Sequence, residues 1–288
     1  MTTVVERSPN VGAITPRPGS ISRSFDAWRR RLLIGTVVAY IALLILAPIA
    51  ALLSGAFAQG IGAIITALSD PSAFAAFRLT LYIAFITVAI HGLFGTALAW
   101  VLVRYRFRGH WLFNGLIDLP FAVSPVVVGY MLLLLFGRTG LLAPILNVLQ
   151  IKVAFAVPGM ILATVFVTLP FMVRELMPVL EAFGVEQEQA AATLGASGWQ
   201  TFWMVTFPAL RWGFIYGVIL TFARALGEFG AVLVVGGGVQ GRTETATLFI
   251  FRALDERQYV GAYSAALLLG LISLVLVVGT ELLRRKEK

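Results

Sequence analysis

In the stretch FARALGEFGAV, Arg224 and Glu228 stand four residues apart inside an otherwise apolar window. On a continuous helix that spacing puts both on one face, where each reduces the cost of taking the other out of water. A single charge at the centre of a membrane helix costs roughly 3 kcal/mol on insertion scales, so such a pair has two readings. Either it is a structural ion pair holding a bundle, or it lines or gates a pathway. Other chemistry is thinly supplied. The 288-residue chain has no cysteine, which excludes disulfides and thiolate metal sites, and its two histidines, His91 and His110, suggest no metal site. His91, alone in its apolar window, reads as a satisfied core histidine in preference to a proton relay. Asp118 is the one aspartate in the apolar windows, so the paired aspartates of an intramembrane protease are missing. No catalytic residue and no metal site is expected.

A second polar island is EQEQAAATLGASGWQTFWMVTFP, Glu186–Pro208. Its first half has high helix propensity, with acids at the start where the helix dipole favours them. Gly195 suits the left-handed residue that ends a helix, and SGWQTFWMVTF offers a second short amphipathic helix before Pro208. An ordinary connector would look much the same. The small alanines, however, let another protein approach closely, while Glu186, Glu188 and Gln189 supply polar contacts, so a docking site is the sharper reading.

The elements that carry these residues belong in a bilayer. The chain is 59% hydrophobic and 12% charged, with a mean hydropathy of +0.91, against roughly 25% charged content in soluble domains. A membrane helix needs about 20 apolar residues at about 1.5 Å of rise each. Six windows meet this, at Leu32–Leu53, Leu79–Val103, Trp111–Phe136, Val157–Leu176, Trp212–Val235 and Gly261–Leu283. The fold class is therefore all-α, a polytopic protein of six transmembrane helices, and alternating strands of a β-barrel are absent. Residues 1–31 form a basic tail, rich in Ser, Pro and Gly and expected to be disordered. Residues 32–56 hold the first helix, read as an anchor and not as a cleaved signal. Residues 77–283 form the core, with the polar loop at 184–208, and 284–288 are a basic end.

Charge orients the windows. With both termini inside, fifteen of the 22 basic residues fall on the inner side, Arg104, Arg106 and Arg108 among them. Six fall outside: Arg78, Arg138, Lys152, Arg242, Arg252 and Arg257. The positive-inside rule thus predicts cytoplasmic termini and a cytoplasmic Glu186–Pro208 loop. The net charge of +8 follows from topology and needs no nucleic acid to explain it. The RYRFRGHW loop is most simply the same inside signal, with anionic lipid contact as a second use. Proline and glycine inside the windows (Pro120, Pro125, Gly129, Pro158, Pro170, Gly217) read as kinks and close packing, and together suit a bundle that rocks. The polar stretch GGGVQGRTETATLFIFRALDERQYVG reads as an outer loop.

The loop resembles the EAA loop of ATP-binding-cassette importer permeases: Glu-Ala-Ala, three residues, Gly, nine residues, Ile, any residue, Leu-Pro. Gln189, Ala190, Ala191, Gly195, Val205, Phe207 and Pro208 occupy those places. Val for Ile and Phe for Leu keep the apolar character. Gln189 replaces the acid that in the family touches the ATPase; it keeps hydrogen bonding but cannot form an ion pair, and Glu188 stands one position earlier with a carboxylate. Three further segments, LIDLPFAVSPVVVGYMLLLLFGRTG, FAVPGMILATVFVTLPFMVRELMPVL and FARALGEFGAVLVVGG, are similar to sulfate/thiosulfate permeases, the W-type most of all. Molybdate and tungstate permeases are the nearest competitors.

The resemblance implies a type I importer permease in a bacterial cytoplasmic (inner) membrane. It implies a second, T-type permease subunit, two ATPase subunits that carry the ATP and Mg, and a periplasmic sulfate-binding protein. The chain itself would bind no cofactor. Glu186, Glu188, Gln189, Ala190, Ala191, Gly195 and Pro208 become the ATPase dock, and Arg224 and Glu228 the pathway or gate candidates. A self-contained secondary transporter is the main rival, but it needs no such dock and usually shows two repeated halves.

Overall fold

The computed structural model describes residues 20–285, so the expected disordered tail lies outside the described residues as far as position 19, and the basic end does from 286. Fourteen helices are described: α1 (Ser20–Phe57), α2 (Ile61–Leu68), α3 (Pro71–Ile90), α4 (Thr96–Arg104), α5 (His110–Ala122), α6 (Pro125–Phe136), α7 (Ala143–Val148), α8 (Val157–Phe183), α9 (Glu186–Thr193), α10 (Gly198–Thr201), α11 (Phe207–Leu226), α12 (Gly230–Gly236), α13 (Ala246–Asp255) and α14 (Tyr259–Arg285). The chain divides into two units, Met1–Ala51 and Leu52–Lys288. The first is, in its described part, the long helix α1, which begins well before the apolar window and is helical from Ser20.

Five helical stretches are long and apolar enough to cross a membrane: Trp28–Phe57, Pro71–Arg104, Val157–Phe183, Gly198–Leu226 and Tyr259–Leu282. The pair α5 and α6 makes a sixth if it is taken as one broken span. Its axes meet at 113°, so the window Trp111–Phe136, expected as one helix, is corrected to two. Pro125 is the cause. Its ring bars the preceding residue from helical backbone, and both Ser124 (φ −59°, ψ 136°) and Val123 (φ −97°, ψ 132°) are extended.

Helix α8 is the hub of the second unit. One core sets its Met160, Ala163 and Val167 against Val128 of α6 and Ala231, Val232 and Val235 of α12. Another sets its Met172, Val173, Leu176 and Leu180 against Ala99 and Leu102 of α4 and Leu210 of α11. Lipid tails are as apolar as leucine, so these contacts hold by close fit and not by escape from water. Two glycines show how close: a Cβ on Gly129 would lie 2.7 Å from the Ala231 carbonyl oxygen, and one on Gly217 would lie 2.5 Å from the Met172 sulfur. Pro125 and Pro158 sit in first turns, where no amide donor is missed.

The second span, Pro71–Arg104, carries a π-helical turn at His91–Gly95. There His91 is buried, with Nε2 3.0 Å from the Thr168 hydroxyl, which itself donates to the Thr164 carbonyl at 2.7 Å. This is the satisfied core histidine that the sequence suggests.

Candidate functional site

The polar loop is a helix, a turn and a helix. Helix α9 ends at Thr193, and Gly195 takes φ +85°, the left-handed turn expected of it. Its Cβ position is open, so only the backbone demands glycine there. Ser197 then starts α10 through a capping box: its amide donates to Gln200 Oε1 at 2.8 Å, and the Gln200 amide donates to Ser197 Oγ at 3.3 Å. The Ser-x-x-Gln spacing is the sequence signal that marks this start.

The second helix does not stop at Pro208. Helical backbone runs on from Gly198 to Leu226, passing through a π turn at Phe202–Thr206, so the expected short helix is corrected to the first turns of the fifth span. A proline inside a regular helix removes one hydrogen bond and clashes with the carbonyl four residues back. The wider π turn just before Pro208 accommodates both. Trp199, Phe202, Trp203 and Phe207 form a chain of ring contacts, with centroids 5.0–6.4 Å apart, at this entry to the span.

Of the dock candidates, Glu186, Gln189, Ala190, Gly195 and Pro208 are exposed and Ala191 is half-buried. Leu194, at the turn, is 88% exposed, and Trp199 and Met204 in the helical turns that follow are exposed as well. The sequence reading missed this apolar cap. Leu194 falls at an unspecified position of the EAA pattern, and its exposure is visible only in three dimensions.

Glu188 stands apart from the other candidates, because its carboxylate turns inward. Arg104, at the end of α4, donates from Nε to Glu188 Oε2 at 2.9 Å and from Nη2 to Oε1 at 3.2 Å. Its Nη1 donates to the Leu180 carbonyl of α8 at 3.1 Å, and the Thr206 hydroxyl donates to Glu188 Oε1 at 2.8 Å. The two side chains are 7% and 15% exposed. The Arg104–Glu188 pair thus ties the loop to α4 and, through Arg104, to α8, while Glu188 holds the π turn before α11. Bidentate charge-assisted bonds of this kind are both directional and strong. From the sequence, Arg104 is only one of three inside-signal arginines.

The Arg224–Glu228 pair forms, at 2.9 Å between Nη1 and Oε2, but not on one helical face. The window Trp212–Val235 is corrected to α11, a break at Gly227–Phe229, and α12. Glu228 lies in the break, its side chain 2% exposed. Its Oε1 accepts the Ala231 amide at 3.1 Å in the first turn of α12, and its backbone carbonyl accepts the Thr247 hydroxyl at 2.8 Å. Its Oε2 meets Arg224 as an ion contact without hydrogen-bond alignment. The pair therefore spans a helix break that Glu228 itself helps to hold. A second ion pair joins Asp118 of α5 to Arg174 of α8 at 2.6 and 2.8 Å, and Arg174 also donates to the Asn114 carbonyl at 3.0 Å.

At the other end of the second span, Arg252 of α13 donates to both oxygens of buried Glu244, at 2.6 and 3.3 Å, and to Glu256 at 2.9 Å. The hydrogen bond to Glu244, more than any other influence, raises the Arg252 guanidinium above its ordinary pKa.

The profile of the family described as binding-protein-dependent transport system inner membrane component matches residues 91–287. The chain belongs to this family. Among curated relatives, the sulfate transport system permease protein CysW of Synechococcus elongatus is 49% identical over 254 residues, which covers 88% of this chain and 89% of that one. The CysW protein of Escherichia coli is 43% identical, covering 86% and 85%. Sulfate permease 2, chloroplastic, of Chlamydomonas reinhardtii is 47% identical, covering 94% and 73%. A bacterial alginate ABC transporter, crystallised in complex with an alginate pentasaccharide-bound periplasmic protein, shares the fold with a TM-score of 0.73 at 18% identity, covering 91% of this chain and 96% of that one. This family member is a multi-pass membrane protein and a transport subunit, one component of a larger importer.

Proposed function

We propose that the chain is a permease subunit of an ATP-driven sulfate importer. Its partners are a second, T-type permease, a pair of ATPase subunits and a periplasmic sulfate-binding protein. ATP and Mg act on the ATPase subunits, and this chain passes their motion to the anion pathway. The observation that carries the reading is the exposed Leu194 cap on a loop that is itself clamped to the bundle. A large apolar side chain left 88% exposed at a polar turn calls for a protein partner, and the clamp means that whatever pushes the loop moves α4, α8 and α11 with it. The identity to named sulfate permeases over most of their length supports sulfate ahead of molybdate or tungstate. Both termini and the loop face the cytoplasm on the asymmetry of basic residues.

In this reading Glu186 and Gln189 supply polar contacts to the ATPase, Ala190 and Ala191 allow close approach, and Glu188 positions the loop without touching the partner. Arg224 and Glu228 sit at the break between α11 and α12, where a change in helix angle would open or close the path. The test is twofold. The chain is expressed in a sulfate-uptake mutant lacking its own W-type permease, and the tagged chain is purified from mild detergent. Restored sulfate uptake with ATPase subunits co-purifying is expected; restored molybdate uptake without sulfate uptake would overturn the substrate, and absence of any ATPase subunit would overturn the dock.

A further inference from the structure

Far from the docking loop, a cleft of about 300 Å³ lies between α3 and the turn before α13, lined by Ala75, Arg78, Leu79, Tyr82, Gly241, Arg242 and Glu244. Arg78 lies 26 residues before Arg104 on one helical span, which at about 1.5 Å per residue is roughly 39 Å. That exceeds the roughly 30 Å of hydrocarbon in a bilayer. The cleft therefore opens at the membrane face opposite the loop.

Its charge is unbalanced. The one acid in the lining, Glu244, is taken up in two bonds by Arg252. The guanidinium groups of Arg78 and Arg242, by contrast, have no ion-pair or hydrogen-bond partner among the described residues. The frame around them is fixed. The Thr80 hydroxyl, two residues after Arg78, accepts the Ala246 amide at 2.8 Å and so pins α3 to the start of α13. The Arg242 turn is closed by its own amide on the Val239 carbonyl at 3.0 Å, and by the Thr243 hydroxyl, which donates to the Gly236 carbonyl at 2.7 Å and accepts the Val239 amide at 3.0 Å. Two arginines without a partner among the described residues, lining one cleft with Tyr82 on a fixed frame, suit a tetrahedral oxyanion, which guanidinium binds through paired N–H donors. Exposure to water keeps such a site weak, as a relay that must release its ligand requires.

We propose that this cleft binds a tetrahedral oxyanion on Arg78 and Arg242, as a receiving site at the outer mouth of the permease. The proposal rests on the importer reading for its biological ligand, sulfate, whereas a phospholipid headgroup is a second source of the same chemistry. The test uses the full permease–ATPase complex in nanodiscs, without binding protein, and radiolabelled sulfate at equilibrium. In uncharged glycolipid discs the unaltered complex should bind sulfate saturably. Arg78→Gln and Arg242→Gln should each weaken binding about tenfold, or about 1.4 kcal/mol, while Arg78→Lys, which keeps the charge but loses the fork, falls between. Arg257→Gln, which removes an exposed charge from the α13–α14 connection outside the cleft, should change nothing.

Sulfate binding that persists in phosphatidylglycerol discs assigns the site to the free anion. Binding that those discs suppress assigns it to lipid phosphate. Molybdate bound on the same two arginines in place of sulfate keeps the cleft and removes the sulfate reading. Equal binding in the Arg78→Gln/Arg242→Gln double variant, or equal weakening by Arg257→Gln, overturns the proposal. So does a double variant whose only defect is a higher KM for the loaded binding protein at unchanged maximal uptake, since the arginines would then be docking a protein.

Discussion

The two ends of the second span are built with the same device and present opposite chemistry. At one end Arg104 grips Glu188 with two bonds; at the other Arg252 grips Glu244 with two. Each clamp neutralises itself and fixes a loop, and what the loop then exposes is free to differ. The first displays Leu194, Trp199 and Met204, an apolar cap with a few polar contacts. The second displays Arg78 and Arg242 around a cleft. An apolar cap suits a protein partner that buries it, while paired guanidinium groups suit a small anion that comes and goes. The clamp residues are scaffolding, and the working residues are their unpaired neighbours.

The comparison breaks most visibly at the clamp itself. Removing one partner of a buried pair leaves the other charge uncompensated, at a cost on the order of 3–5 kcal/mol when fully buried. Glu188→Ala or Arg104→Ala should therefore free the loop, with uptake and ATPase co-purification falling at least tenfold while the chain stays in the membrane. Protease accessibility of the loop, together with pull-down, checks this, and unchanged values for both variants would leave Glu188 with no positioning role. A related change, Gly195→Pro, demands φ near −65° where the chain holds +85° and should misplace Leu194 with similar loss of ATPase binding.

A smaller effect is expected at the break between α11 and α12. Arg224→Ala and Glu228→Ala should each lower uptake per assembled complex. The double variant should recover part of it if the pair is structural, and none if Arg224 serves the anion. Glu228→Gln should be milder than Glu228→Ala, because the amide oxygen can still accept the Ala231 amide. Wild-type uptake in Arg224→Ala would exclude both roles.

The smallest expected effect lies at the start of the second span, where the Asp70 carboxylate caps α3 by accepting the Ser72 amide at 2.7 Å. Hydrogen bonds from the Ser72 side chain first, then its amide, hold the Asp70 pKa below its usual value. A depressed folded-state pKa gives stability present above the unfolded pKa of about 3.9 and lost as pH falls through the lower folded value. Asp70→Asn should thus cost a few tenths of a kcal/mol near neutral pH, and Asp70→Ala about 1, read as a shift in detergent-solubilised melting temperature.

Much of this was legible in the sequence because hydropathy is additive. The apolar windows sum correctly, and the Gly195 turn follows from a local backbone rule. Neither the bend between α5 and α6 nor the break between α11 and α12 was legible, since an apolar window scores alike whether it is straight or bent. Pro125 and Gly227 are visible in the sequence, but a proline or glycine in an apolar window can kink, start or interrupt a helix, and the residue type alone does not choose among these. The Arg104–Glu188 clamp was out of reach for another reason. It joins residues 84 positions apart, and no local pattern distinguishes Arg104 from Arg106 or Arg108. The residues proposed to dock the partner could be placed on the loop, yet that Glu188 turns inward depends on that long-range bond.

The most direct test of the account is a double dissociation measured on one preparation: ATPase co-purification and sulfate binding, for Leu194→Asp and for the Arg78→Gln/Arg242→Gln double variant. Leu194→Asp should lose the ATPase at least tenfold and keep sulfate binding, while the arginine variant should keep the ATPase and lose sulfate binding. If Leu194→Asp retains full ATPase association, or if both variants lose both properties together, the assignment of the two ends to separate partners is contradicted.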